Sequence, residues 1–427
     1  MSERINKPRG TTDFLFEEEK LFTTVEKHLF KDASNFGAKR VEGPLFEEEK
    51  LFVRGVGQST DIVNKEMFRL DTKGDHSYVL RPEFTASINR LVIENKLYSS
   101  PDLPLKISYC GPVFRYERPQ AGRLREFNQF GVEFLDNKID FSTALDALLL
   151  LYRAGVNLLG RDLLLKVNFL GSFESRENYK KALKEFYKDK IDHMCEDCKV
   201  RYNQNVLRIL DCKVEADIEI NKKAPNLQDY LSIDDKKTFE KLISILDKLK
   251  VNYQIDSKLV RGLDYYTGLV FELYDPLNLN LGAIGAGGQY GNLMAEIGGP
   301  DFEGIGFSFG IERLLLALIP ERKEQLLKEQ DDSLDYFIID LRKEKDILPL
   351  ILADQLRKLD KKVSTPSASK ALSGALKMAN RLQSKKVLIF DDYNPGALLV
   401  KDMAKHSQNV INSNDLDQIL KELGEKE

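Results

Sequence analysis

Residues 115–125 read Arg-Tyr-Glu-Arg-Pro-Gln-Ala-Gly-Arg-Leu-Arg, four arginines against one glutamate, a local charge of +3. A guanidinium offers a planar fork of donors that matches phosphate oxygens two at a time, so arginines crowded around a short turn suit a polyanionic ligand. A solvated hairpin tip would carry the same composition. Arg261, beside Asp264 and the Tyr265-Tyr266 pair, is either another anion-binding cation or half of a buried ion pair. Cys195-x-x-Cys198, with His193 and Cys212, puts four potential zinc ligands within 20 residues. His193 and Cys195 are only two apart and no second paired-ligand motif follows, so reduced thiols in a helical hairpin are expected and no metal is assigned. The glycines at 282, 285, 287, 288, 291, 298 and 299 lack the strand-to-helix spacing of a dinucleotide site and imply instead close backbone approach around a pocket.

These residues need a scaffold, and the chain is long enough to supply one. Its 427 residues carry 64 Lys+Arg against 68 Asp+Glu, a net charge of −4, with 42% hydrophobic residues, which describes a globular protein of two to four domains. The apolar runs fall far short of the ~18 residues that cross a bilayer. The start, Met1 to Pro8, lacks the pattern of a secretory signal, and four cysteines cannot build a disulfide lattice, so a cytoplasmic protein without membrane partners is expected. The near-neutral balance excludes a basic coat, leaving nucleic-acid contact to local patches.

Along the chain, Leu-Phe-Glu-Glu-Glu-Lys-Leu-Phe occurs at 15–22 and again at 45–52 with unrelated flanks, a coincidence that suits two helix starts. A helix is expected over 84–98, a long hairpin with strands at 107–115 and 127–134 and a charged tip, a helix over 140–159, and a strand at 163–170. Residues 1–170 and 253–325 read as two parts of one α+β core, with strands at 253–255 and 269–274 and a helix opening near Gly310. Between them, the charge-rich stretch 171–252 reads as an inserted helical module with helices at 174–190 and 236–250. A polar linker is expected over 321–333, and residues 334–427 alternate as β-α-α-β, a small α/β domain.

Phe114 to Gln120 with Gly122-Arg123 resembles motif 2 of class II aminoacyl-tRNA synthetases in the form typical of histidyl-tRNA synthetases. Gly306 to Arg313 resembles motif 3, Gly37 to Pro44 the weaker motif 1, and Leu259 to Gly268 and Ala286 to Tyr290 resemble segments specific to the histidine enzymes. Pro8 to Thr11 and Arg81-Pro82-Glu83 extend the likeness over nearly the whole chain, in order. The resemblance implies a class II antiparallel-sheet catalytic core, an anticodon-binding domain at 334–427, a homodimer, and the substrates ATP with Mg²⁺, L-histidine and tRNA(His). It assigns Arg115 and Arg261 to the α-phosphate as catalytic residues, and Arg313, with Glu117 and Arg123, to the rest of ATP. Glu83, Thr85 and Gln129 would hold the histidine amino group, Glu133 and Tyr266 its imidazole, with Tyr290 in the same pocket. Arg118, Gln120 and Arg125 would reach the tRNA acceptor end. The 334–427 segment has 16 Lys+Arg and 14 Asp+Glu, so tRNA binding there would rest on a local face rather than bulk charge.

The sequence departs from the family pattern at Phe84, Gln289, Gly291 and Asn292, and Tyr116 and Asn128 stand where His is common. The rival expectation is a histidine-binding regulatory paralogue of ATP phosphoribosyltransferase, some members of which carry Phe at the position of Phe84. The intact arginine loop and the C-terminal segment favour the synthetase.

Overall fold

A computed structural model describes residues 4–57, 60–260, 265–344, 346–365, 371–393 and 395–425. The chain divides into two compact units between Glu329 and Gln330.

The first unit is organised by an eight-stranded sheet. Its strands are β1 (Lys39–Arg40), β2 (Leu105–Phe114), β3 (Glu126–Asp136), β4 (Leu164–Phe169), β5 (Tyr253–Ile255), β6 (Tyr266–Tyr274), β7 (Ala283–Tyr290) and β8 (Glu303–Gly310). They lie in the order β1-β2-β3-β8-β7-β6-β4-β5. All neighbours run antiparallel except β1 with β2 and β4 with β5. Among the helices of the first half are α1 (Glu17–Asn35), α2 (Thr85–Glu94) and α3 (Phe141–Leu159).

Side chains alternate across a strand, so each strand divides its residues between a packed face and a working face. In β3, Phe130, Val132 and Phe134 are buried in the main apolar core with Leu21, Val25 and Leu29 of α1 and Leu148 and Leu151 of α3. Gln129, Gly131 and Glu133 fall on the opposite face. In β8, Ile305, Phe307 and Phe309 join the same core, while Gly306 stands across from Glu133 and Gly310 across from Gln129. Helix α3 is well delimited by its sequence. The Asp140 carboxylate accepts the Thr143 N–H at 2.7 Å, Gly160 ends the helix at φ 66°, and the buried leucines between them contribute roughly 1.5–3 kcal/mol each. On the working face α2 brings Ile88 and Val92 against Ile107 and Val113 of β2, closing one side of the site.

The duplicated octapeptide adopts two structures. Its first copy runs into α1, whereas the second splits into a strand at Phe46–Glu48 and a helix at Glu49–Gly55. Tertiary contacts decide the difference: Glu47 pairs with Val79 in a small ribbon, and its buried carboxylate accepts Arg90 at 2.8 Å.

Between β4 and β5 come α4 (Phe173–Tyr187), α5 (Glu196–Gln204), a 3₁₀ turn at Val206–Asp211, α6 (Glu215–Asn221) and α7 (Ile233–Lys248). Tyr179, Leu183, Tyr187, Cys198, Val206 and Ile209 form their own apolar cluster. After β8 the chain continues as α8 (Ile311–Ala317) and α9 (Pro320–Lys328). The linker expected over 321–333 is therefore helical for most of its length. Pro320 starts α9 at a position that needs no N–H, Leu326 is buried, and Arg322 donates to the Leu158 and Asn157 carbonyls at 2.8 and 3.0 Å.

The second unit holds a five-stranded sheet of β9 (Tyr336–Asp340), β10 (Val363–Ser364), β11 (Lys386–Phe390), β12 (Leu398–Asp402) and β13 (Ser407–Ile411), ordered β10-β9-β11-β12-β13. Helix α10 (Leu348–Lys358) packs on one face through Leu352 and Leu356, and α11 (Leu372–Arg381) on the other through Ala375 and Ala379. The β-α-α-β expectation thus misses the short β10, the β12–β13 hairpin and a last helix at Leu416–Glu422.

Candidate functional site

A cavity of about 680 Å³ opens on the working face of the large sheet. Glu83, Thr85, Arg115, Glu117, Gln120, Arg123, Gln129, Glu133, Tyr266, Tyr290 and Arg313 all line it. Arg118 and Arg125 do not. Arg261 lies outside the described residues.

The acidic end is built around Glu133, which is 1% exposed. Its Oε1 accepts the Thr85 hydroxyl at 2.9 Å and the Tyr109 hydroxyl at 3.0 Å, and its Oε2 accepts the Tyr290 hydroxyl at 2.8 Å. Burial pushes the Glu133 carboxyl up to about 7, against the opposing pull of those hydroxyl donors. Glu83, also buried, accepts the Thr85 N–H at 2.6 Å and the Ala86 N–H at 2.8 Å, so it fixes the start of α2, and burial likewise raises its pKa. Glu83 lines the cavity as well.

Glycines make room for these side chains. A Cβ at Gly306 would collide with the Glu133 carboxylate, one at Gly304 with the Tyr290 ring, one at Gly131 with the Tyr109 hydroxyl, and one at Gly288 would lie 2.8 Å from the Tyr266 ring. Replacing Gly306 by Ala is therefore expected to displace Glu133, lowering the melting temperature by several degrees and abolishing ligand protection against heat. Thermal melts with and without a ligand of the cavity check this, and a variant protected like the parent would remove the steric account.

The pH dependence of stability follows from the same carboxylate. A native pKa of about 7 against an ordinary 4.5 means the folded protein holds this proton more tightly than the unfolded chain. The associated stability is fully present below the unfolded value and is lost as pH rises through the folded one, on the order of 3 kcal/mol in all. Glu133→Gln, which never ionises, should gain stability relative to the parent between about pH 5 and pH 8. A constant difference in unfolding free energy over that range would contradict the shift.

The cationic end lies on the β2–β3 loop and α8. Arg115 donates from Nε to the Pro82 carbonyl at 2.9 Å, tying the loop to the start of α2. The loop closes on itself where Gln120 and Arg123 exchange backbone hydrogen bonds at 3.0 and 2.9 Å around Gly122, whose φ of 71° favours glycine. Arg313 donates to the Gly122 carbonyl at 2.8 Å and the Ala283 carbonyl at 2.7 Å, latching the loop to the sheet. Burial, then the neighbouring Arg123, lowers its pKa. Arg125 has a local role: its guanidinium stacks 4.1 Å from the Tyr116 ring and its backbone N–H donates to the Gly10 carbonyl at 2.8 Å. Arg118 is exposed.

Arg81 anchors the Gly43-Pro44 turn by donating to both carbonyls, at 3.0 and 3.2 Å, and to the Pro112 carbonyl at 2.9 Å. Phe84 packs between Arg81 and Tyr109, its ring 4.3 Å from that of Tyr109, and does not line the cavity. Gln289 and Asn292 also stand off the cavity wall, and Asn128 is engaged with Glu312 at 3.0 Å. The residues that depart from the sequence pattern therefore leave the cavity lining intact. Tyr109, a wall residue that sequence reasoning missed, was accessible from hairpin register: with Phe114 opposite Glu126, Tyr109 falls opposite Gly131 and beside Glu133. Tyr265, Ser308 and Glu272 complete that wall, and Leu210, Asp211 and Lys213 reach it from the inserted module.

The cavity thus joins a buried acid ringed by hydroxyls to a cluster of three arginines. It can take a ligand with a hydrogen-bonding ring or amine at one end and a polyphosphate at the other.

Residues 10–314 match the family described as histidyl-tRNA synthetase. The chain is 42% identical to the histidine--tRNA ligase of Thermosipho melanesiensis, over 90% of each chain. It is 40% identical to that of Staphylococcus haemolyticus, over 96% of this chain and 98% of the other. Among solved structures, the apo histidyl-tRNA synthetase of S. aureus superposes with a TM-score of 0.78 at 30% identity, over 98% of this chain and 99% of that one.

Proposed function

The chain belongs to the histidyl-tRNA synthetase family, and from that premise we propose that it works as a histidine--tRNA ligase in the cavity described above. A histidine carboxylate oxygen attacks the α-phosphorus of ATP, the bond to the β-phosphate oxygen breaks, and pyrophosphate leaves. A hydroxyl of the tRNA terminal ribose then attacks the carbonyl carbon of the adenylate, releasing AMP and a proton. Both partners in the first step are anions, so their approach needs placed positive charge.

One observation carries the reading: Glu133 with its three hydroxyls and the arginines 115, 123 and 313 line a single cavity. Glu133 accepts an imidazole N–H, Tyr266 meets the other ring nitrogen, Tyr290 holds Glu133, and Glu83, Thr85 and Gln129 receive the amino group. Arg115 and Arg261 neutralise the α-phosphate, Arg313 takes the far phosphates, and Glu117 and Arg123 flank them. Arg118 and Gln120 extend towards the tRNA acceptor end, while Arg125 serves by holding the loop. The cavity carboxylates Glu272 and Glu312 are hard oxygen donors of the type that suits Mg²⁺, which would travel with ATP and offset phosphate charge. The 334–427 segment would bind the anticodon arm, and the working unit would be a cytoplasmic homodimer. No helix among the described residues is long and apolar enough to cross a membrane.

The regulatory-paralogue reading loses its main support because Phe84 packs outside the cavity. Histidine-dependent ATP–pyrophosphate exchange, followed by charging of tRNA(His), tests the proposal. Histidine binding without exchange would return the protein to the regulator.

A further inference from the structure

The inserted module contains a cluster that the ligase reaction does not use. The side-chain ligand atoms of Cys195, Cys198, Cys212 and Asp217 all lie within 4.8 Å of one another. Cys198, Cys212 and Asp217 are buried, and Cys195 is half-buried. The residues come from three short elements: Cys195 immediately precedes α5, Cys198 sits in its first turn, Cys212 follows the 3₁₀ turn, and Asp217 lies in the first turn of α6. Sequence spacing offered His193 as the fourth ligand, but that side chain is exposed and stands outside the cluster, and Asp217 takes the place.

We propose that these four side chains form a structural zinc site of the Cys₃Asp type. The spacing is the first argument. Four ligands around zinc at ~2.3 Å for sulfur and ~2.0 Å for oxygen give a tetrahedron whose edges are ~3.8 Å between sulfurs and ~3.5 Å from sulfur to oxygen. The Cys195 and Cys212 sulfurs are 3.7 Å apart, and the Cys212 sulfur lies 3.2 Å from the Asp217 carboxylate. A disulfide needs ~2.05 Å, so the cysteines are placed as ligands rather than as a bonded pair.

Charge is the second argument. Asp217 is 1% exposed, and its carboxylate receives the Cys195 backbone N–H at 3.2 Å, the Cys212 thiol at 3.2 Å and the thiols of Cys195 and Cys198. All of these donors are neutral, and the carboxylate they hold is the anionic oxygen ligand that a divalent cation between the same four side chains would need. Binding would deprotonate the three thiols and release three protons to solvent. The segment that gains is specific: Asp211 and Lys213 flank Cys212 and line the ligase cavity. Zinc at Cys212 would pin that wall to α5 and α6.

The experiment uses the full chain. Protein purified from zinc-supplemented medium should carry about one zinc per chain by elemental mass spectrometry, and Cys198→Ser should bring this near zero. Because that variant could fail to fold, the unmodified chain is also stripped with a chelator and reloaded with Co²⁺. A thiolate-to-cobalt charge-transfer band, lost on adding zinc, is expected, together with protection of three thiols against alkylation by zinc. A chain that stays metal-free in zinc, gives no such band with Co²⁺ and shows equal thiol reactivity with and without zinc would overturn the site. These readouts are independent of ligase activity, so failure here leaves the proposed function standing.

Discussion

Glu133→Gln is expected to lower kcat/KM for histidine in ATP–pyrophosphate exchange by on the order of 10³-fold while leaving the KM for ATP within about twofold. The carboxylate is the point on which the Thr85, Tyr109 and Tyr290 hydroxyls converge, and it faces the cavity from the floor of the sheet. Glutamine keeps the size but loses the charge that strengthens a hydrogen bond to an imidazole N–H. It also presents an amide donor where an acceptor was held. Sites built on such bonds discriminate by ~10⁴ or more, and a charged partner contributes ~1.5–3 kcal/mol of a single contact. A variant whose histidine kinetics stay within tenfold of the parent would place the imidazole elsewhere.

Arg313 should produce the complementary loss. Two of its N–H groups are committed to the Gly122 and Ala283 carbonyls, which fixes the guanidinium plane at the cationic end of the cavity. Arg313→Ala removes the latch on the arginine loop and, on the proposed function, a phosphate ligand, so KM for ATP is expected to rise on the order of 10²-fold, with a fall in exchange rate equivalent to ~3–4 kcal/mol. Arg313→Lys should recover only part of this, since an ammonium restores charge but cannot hold two carbonyls and a phosphate in one plane. If Lys works as well as Arg, the loop is not latched through this residue.

Much of the site could be read from the sequence because its chemistry is local. The arginine loop, the Glu133 strand and the Gly306–Arg313 turn each announce themselves within about ten residues, and alternation in 127–134 already separates Phe130 and Phe134 from Glu133. The missing parts depend on pairing between distant segments. Tyr109 reaches Glu133 through the β2–β3 register, and Asp217 joins three cysteines because α5 and α6 both pack against the 3₁₀ turn at Val206–Asp211, which no ligand spacing encodes. Elements went unseen for a similar reason. β13 has one buried residue, Ile411, so its sequence lacks the apolar alternation that marks a strand, and the second Leu-Phe-Glu-Glu-Glu octapeptide becomes part strand only because Val79 and Arg90 receive it. The charge density of 321–333 reads as a linker, but Leu326, buried on a helix begun by Pro320, and Arg322, bonded to the Leu158 and Asn157 carbonyls, bind most of it to the first unit.

The glycines facing this cavity have a consequence for how such a protein is surveyed experimentally. At positions 131, 288, 304 and 306 the useful property is an absence of atoms, and the occupant of each space is a tyrosine or glutamate from a neighbouring strand or from the same sheet. A saturation-mutagenesis map would rank these four beside Glu133 in intolerance, though none of them can donate, accept or transfer a proton. Chemical identity would need to be recovered by pairing: a shortened partner, such as Tyr290→Ala with Gly304→Ala, should relieve part of the defect, whereas no second change repairs the loss of a reacting group.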